Sequence, residues 1–365
     1  MKSLRVVGIT AAALALGLLT GCQPESGKPK VGFVSNNPES FWTIAEAGAN
    51  KAAAESNVDL IFQRPQQGDP AVQRETVDGV INQGAKAVAV SVIDPKNQKE
   101  YLDKIAGKVQ LLTVDNDAPD THRVCYIGTD NYEGGKAVGR LVKMALPKGG
   151  TIAIFVGDLA PLNAQQRCEG VLDELAGQKD VAMANGKFKK PDTGAVYGKD
   201  VKYTLHDIYL DQPEGAQKAK TNARAAVSDL KDKDGVCMIG LWAYNPPAIL
   251  SAVNDYVKDG KIKKGQIKIV GFDENAETLQ GIIDDDILGT VVQNPYEFGF
   301  QSVSLMAQLV KGDKSKVPPD GVIPIEFRII TKDGGQDFLE TVHGQKKSIP
   351  VKEFRDQLNT LLGKK

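Results

Sequence analysis

The chain has 365 residues, long enough for two domains with separate cores, and its 41% hydrophobic and 25% charged content is that of an ordinary soluble protein. Lys plus Arg number 45 against 46 Asp plus Glu, so there is no basic field to hold nucleic acid. The three histidines stand at no metal-ligand spacing, which argues against a zinc site, and neither a metal nor another cofactor is expected.

The first segment reads as an address. Lys2 and Arg5 precede an apolar run from Val6 to Leu19, and Leu19-Thr-Gly-Cys22 follows. A basic start, a short apolar core and small residues at the cut describe a secretory signal, and the run is too short to span a bilayer. A Cys after a Leu-small-Gly triplet resembles the bacterial lipoprotein box. That resemblance implies a signal peptide over 1–21, with Cys22 as the lipidated first residue of the mature chain. Residues 22–30 then read as a flexible tether. The expected location is outside the cytoplasm, in the periplasm or at the cell surface, with the protein anchored through Cys22. Cys125, Cys168 and Cys237 share no C-x-x-C spacing and are odd in number, so no disulfide is expected.

From Val31 the chain alternates strands and helices. Val31 to Val34 reads as a buried strand, Asn36-Asn37-Pro38 as a turn, and Phe41 onward as a helix with Ile44, Ala45, Gly48, Ala49 and Ala52 on one face. Strands follow at 58–62, 87–92, 109–115 and 124–127, with helices at 72–82 and 97–106 between them. Thr129-Asp130-Asn131 opens another helix, with Asp130 or Asn131 as its cap. The rhythm restarts with a strand at 151–156 and a helix at 163–175. Residues 180–203 are polar and Lys- and Gly-rich, and read as a hairpin or extended surface loop. Strands at 205–210, 236–241, 267–272 and 287–293 then alternate with helices from about Pro213, Pro246 and Pro295. Val322 to Ile330 reads as one final extended segment, and Val351 to Leu362 as a last helix. This alternation implies an α/β fold of two doubly wound, Rossmann-like parallel-sheet lobes. No Gly- or Pro-rich linker separates them, so several crossing segments, forming a hinge, are expected.

Polar residues recur where strands stop: Asn37, Asp115, Arg167 shortly after one, Asn245, Asp273 and Gln293. In open parallel sheets ligands bind outside these ends. Phe41 and Trp42 lie at the same place, either as caps on their own core or as a stacking platform for a flat hydroxylated ligand. Carboxylate and guanidinium forks pair with vicinal hydroxyls, and amides both donate and accept. Enzyme signatures are missing: there is no Gly-x-Ser-x-Gly elbow and no phosphate loop. Asp115 and Asp273 as a glycosidase pair is disfavoured, because they sit in different halves.

Asn-Asn-Pro-x-x-Phe-Trp, Thr113-Val-Asp115, Gly128-Thr-Asp-Asn131 with Gly134-Gly135, Arg167-Cys-Glu-Gly170, Ile269-Val-Gly-Phe-Asp273 and Val292-Gln293 occur in that order. Together they resemble the periplasmic sugar-binding proteins of ABC importers, ribose-binding branch, over about 30–330; the same type I fold forms the core of lac-repressor-type regulators. The resemblance implies two lobes closing on a monosaccharide, a pentose or hexose, for delivery to an ABC permease in the inner membrane, by a non-enzymatic monomer. A ligand sensor feeding a membrane receptor is the competing reading, and a secreted carbohydrate enzyme a third. The export signal and the lack of a basic helix-turn-helix segment exclude a repressor.

By matching motif, the implied ligand residues are Phe41, Trp42, Asp115, Arg167, Asp273 and Gln293, with Asn37 and Asn245. Asn116 stands where ribose binders carry Arg, and Trp242 is the second tryptophan just past a strand; both join the candidate set. The resemblance places crossovers near Asp130, Gln293 and Glu326. It gives one lobe of 30–129 plus 294–326, a second of 130–293 plus 327–345, and a tail of 346–365.

Overall fold

The structure, a computed structural model, describes residues 27–184, 187–212, 214–334, 341–342, 345–346 and 348–363. The expected leader, Cys22, most of the tether and Pro213 lie outside the described residues. Among the described residues no helix is long and apolar enough to cross a membrane.

The first lobe begins with β1 (Lys30–Val34), α1 (Phe41–Ser56), β2 (Asp59–Gln63), α2 (Pro70–Asn82), β3 (Ala87–Val90), α3 (Pro95–Ala106), β4 (Gln110–Val114) and β5 (Cys125–Gly128). Two helices start at an Asp-Pro pair. The Asp69 side chain accepts from the Ala71 and Val72 amides, and Asp94 from Asn97, while each proline occupies a first-turn position whose N–H would go unpaired. The strands pair in parallel in the order β2-β1-β3-β4-β5. Val31, Phe33, Leu112 and Ile127 pack on one face of this sheet, and Val34, Val88, Val90 and Leu111 on the other.

The second lobe continues with α4 (Asn131–Ala145), β6 (Gly150–Val156), α5 (Leu162–Ala176), a short hairpin of β7 (Met183–Ala184) and β8 (Lys187–Phe188), β9 (Val196–Tyr197), β10 (Tyr203–Leu210), α6 (Ala216–Leu230), β11 (Val236–Gly240), α7 (Asn245–Lys258), β12 (Ile267–Phe272), α8 (Ala276–Ile283) and β13 (Gly289–Val292). Its parallel order, β10-β6-β11-β12-β13, repeats the first lobe's. The chain then crosses back through α9 (Pro295–Leu309) and β14 (Val322–Pro324), which pairs with β5. Helix α9 meets α1 backbone to backbone: a Cβ on Gly299 would stand 1.9 Å from the Ala45 carbonyl oxygen, and one on Gly48 2.0 Å from that of Tyr296. After β15 (Arg328–Thr331) come the two-residue strands β16 (Thr341–Val342) and β17 (Gln345–Lys346), then β18 (Ser348–Pro350) and α10 (Val351–Leu361).

The chain passes between lobes three times, after β5, after β13 and between β14 and β15. Two readings of the sequence need correction, and one element was missed. Val322 to Ile330 is not one strand: β14 joins the first sheet and β15 the second, antiparallel to β13, with Ile325 donating its amide to the Gly128 carbonyl at the switch. Helix α8 had no counterpart in the pattern. The last residues are no detached tail, since β18 pairs with β15 and α10 buries Val351 and Phe354 in the second lobe's core.

Candidate functional site

Both lobes aim the carboxyl ends of their strands at one cavity of about 430 Å³, counting its mouth. The matched strand orders produce a matched pair of aspartates. Asp115 follows β4 and Asp273 follows β12, the fourth parallel strand of each lobe in chain order. Both take left-handed backbone angles, φ 61° and 68°, a conformation that Asp tolerates better than most residues. Each donates its amide to the next strand, Asp115 to Ile127 and Asp273 to Val291, and so the turn is fixed. The Ser91 hydroxyl donates to Asp115 Oδ2 at 3.0 Å, and Gln293 Nε2 to Asp273 Oδ1 at 2.9 Å. Burial pushes the Asp115 carboxyl up to about 6, Arg167 opposes the rise, and the Asp273 charge adds to it. Burial raises Asp273 as well, against Arg167 and Gln293.

Arg167 lies in the second turn of α5 and is 2% exposed. Its Nε donates to Asn131 Oδ1 and its Nη1 to the Leu241 carbonyl, both at 2.9 Å, and its guanidinium carbon sits 3.9 Å from the Phe272 ring centroid. The 4.0 Å from Nη1 to Asp273 Oδ2 balances charge without a direct hydrogen bond. Asn163, one turn earlier on the same helix face, lines the cavity too.

The aromatic residues divide the work. Trp42 is 1% exposed, edge-on to Phe33 and Phe41, and its Nε1 donates at 3.2 Å to the Oδ1 of both Asn36 and Asn37. It is thus both a core residue of the first lobe and a cavity wall, while Phe41 is half-buried beside it. Trp242 comes from the opposite lobe, held by its amide donating to Asn245 Oδ1 at 2.9 Å and packed against Gly157, where a Cβ would meet its ring at 1.9 Å. Tyr244 stands edge-on to it.

Among the described residues, eleven buried side-chain polar atoms lack a partner, and four belong to this wall: Arg167 Nη2, Trp242 Nε1, Asn163 Oδ1 and Gln293 Oε1. Buried polar atoms are paired as a rule, so two donors and two acceptors left open in one wall suit a ligand that does both. Hydroxyl groups do both.

The structure therefore brings Asn37, Phe41, Trp42, Asp115, Arg167, Trp242, Asp273 and Gln293 together. It sets two expected residues elsewhere. Asn116 is fully buried, donating to the Val92 carbonyl and accepting the Asn163 amide at 3.1 Å; it ties the lobes together and does not face the cavity. Asn245 donates to Asp211 Oδ2 at 2.6 Å and holds the Trp242 backbone. Asn36, Glu39, Asn163 and Tyr244 line the cavity without having been singled out; the four-residue step from Asn163 to Arg167 was the one available signal.

Two lobes of like topology, joined by three crossings and closed over a polar and aromatic cavity, define an interdomain-cleft binding protein. The chain belongs to the periplasmic binding protein domain family, which matches residues 31–314. It is similar to the ribose import binding protein of Escherichia coli, 21% identical over 334 residues and covering 91% of this chain and 99% of that one. The fructose import binding protein of Bifidobacterium longum is 23% identical over 330 residues, covering 84% and 89%. Among solved structures, a solute-binding protein of an ABC transporter from Burkholderia graminis, in complex with D-arabinose, superposes with a TM-score of 0.71 at 21% identity, covering 83% of this chain and 95% of that one. A glucose-galactose binding protein from Geobacillus stearothermophilus gives 0.69 at 24%, covering 83% and 97%.

Proposed function

We propose that this protein is the extracytoplasmic solute-binding component of an ABC importer. It holds one sugar ring, a pentose or hexose, between its lobes and delivers it to a permease in the inner membrane, without turnover. The observation that carries this reading is the cluster of unpaired donors and acceptors between Asp115 and Asp273. Asp115, Arg167, Asp273, Gln293 and Asn37 are assigned to the ring's hydroxyls, and Phe41, Trp42 and Trp242 to its apolar faces. Relatives named for ribose and fructose support a sugar over other solutes. Binding energy favours the closed form, and that form is the one a permease reads. The protein works as a monomer, held at the membrane by lipid on Cys22. Titration calorimetry with pentoses, hexoses and polyols tests the ligand class: one saturable one-to-one isotherm is expected, and heats equal to dilution throughout would refute it. For the anchor, Cys22→Ser should move the protein from the membrane fraction to the soluble one.

A further inference from the structure

The cavity does not end at the walls that would hold one ring. A second recess of about 390 Å³, counting the solvent at its mouth, opens beside it, lined from the first lobe by Gly68 and Ile93 and from the second by Asp158, Pro161 and Gln212. The two voids share Asn36, Asn37 and Trp242. All three shared residues carry hydrogen-bonding side chains. The Trp42 indole occupies the Oδ1 of both asparagines, so each amide is oriented and its NH₂ end is left as the group to donate. Trp242 Nε1 is buried and without a partner. Residues that line both voids thus carry three hydrogen-bond donors.

Resting on the sugar-binding reading, we infer that the physiological ligand is a glycoside: one sugar ring fills the inner chamber, and a neutral, hydroxylated second ring occupies the outer one beside Trp242. Three donors at the junction suit the glycosidic and ring oxygens, which only accept. The outer chamber adds Asp158 and Gln212. Asp158 Oδ1 accepts the Leu159 amide at 2.5 Å and the Ala160 amide at 3.1 Å, which fixes the carboxylate in place. Gln212 Nε2 reaches the Tyr244 hydroxyl at 3.4 Å. Charge selects the class further. Four carboxylates, Glu39, Asp115, Asp158 and Asp273, line the two chambers against one guanidinium, Arg167. A phosphorylated sugar would therefore be repelled.

Gly68 allows a clean test. Its φ lies outside the left-handed region and a Cβ would find its nearest neighbours at 3.6 Å, so a side chain there narrows the outer chamber without straining the backbone. Wild-type protein and Gly68→Leu would be titrated calorimetrically with free pentoses and hexoses, their methyl glycosides, and a set of disaccharides including cellobiose, lactose, maltose and xylobiose. The inference expects at least one disaccharide to bind about tenfold or more tightly than its parent sugar, a gain that Gly68→Leu removes while free-sugar affinity holds within about threefold. Gln212→Ala should erode the same gain, in case the leucine disturbs the loop. If every substituted sugar binds more weakly than the free one, or the disaccharide's advantage survives in Gly68→Leu, the outer void is a water-filled entry and the glycoside inference fails while the one-ring reading stands. If no sugar of either kind binds, both fall.

Discussion

Asp273→Asn separates a binding residue from a structural one more sharply than any truncation. Asn has nearly the same shape, tolerates the φ of 68° and can still accept from Gln293 Nε2, so the turn after β12 should persist. What disappears is a buried negative charge. In the ligand-free cavity Asp115 and Asp273 face one guanidinium, and the Asp273 charge is among the causes that raise Asp115. Removing it leaves Asp115 matched to Arg167, and so thermal stability without ligand should hold or rise slightly. Affinity should move the other way. A hydrogen bond from a ligand hydroxyl to a buried carboxylate contributes about 1.5–3 kcal/mol, against about 0.5–1.5 for a neutral acceptor. The difference, about 1–2 kcal/mol, weakens binding roughly five- to thirtyfold. Calorimetry beside a thermal melt reads both quantities on one sample. Unchanged affinity, or a large loss of stability in the ligand-free protein, would refute the assignment of Asp273 to ligand.

Three further outcomes follow from the same geometry. Asp115 titrates near 6 in the fold against an ordinary value of 3.8, so the folded state holds its proton more tightly; this contribution to stability is fully present below about 3.8 and is lost as pH rises through about 6. On the proposed assignment of Asp115 to ligand hydroxyls, which would donate to the ionised form, affinity should rise over that window with proton release, seen as buffer-dependent binding heats at about pH 6; equal heats in all buffers would contradict it. Trp42 is already fully bonded in its core whereas Trp242 keeps a free Nε1, so Trp242→Phe should reduce the fluorescence change on binding more than Trp42→Phe does, and equal losses in the two variants would contradict it. Asn116 joins Val92 to Asn163 across the lobes, so Asn116→Ala should weaken binding without touching ligand, and solution scattering should show less compaction at saturation than wild type shows.

Alternation of apolar runs and helical faces made both lobes legible, because strands buried on both sides carry a strong local signal. Strand-end polar residues were legible for the same reason: Asp115, Asp273 and Gln293 sit where an apolar run stops. What stayed hidden depends on contacts between distant segments. Gln73 and Gln98 look like surface positions on helices, yet both are buried. Gln73 donates to the Ser35 and Ser91 carbonyls and accepts from Gln98, whose own carbonyl takes the Ile93 and Asp94 amides; the pair thereby sets the loops after β1 and β3. Asn116 and Asn245 have the composition of ligand residues, and only their buried partners reveal scaffolding. The division of 322–330 between two sheets leaves no trace in periodicity, because both halves are extended.

The central claim is that Arg167, unpaired at Nη2 between the two aspartates, completes its hydrogen bonding on a sugar. Its most direct test is a paired titration of wild type and Arg167→Met with the tightest sugar found, in a variant confirmed folded by circular dichroism. Leaving the buried carboxylates without their cation should cost about 2–5 kcal/mol of binding, a loss of roughly thirtyfold or more. Wild-type affinity in folded Arg167→Met would contradict the account.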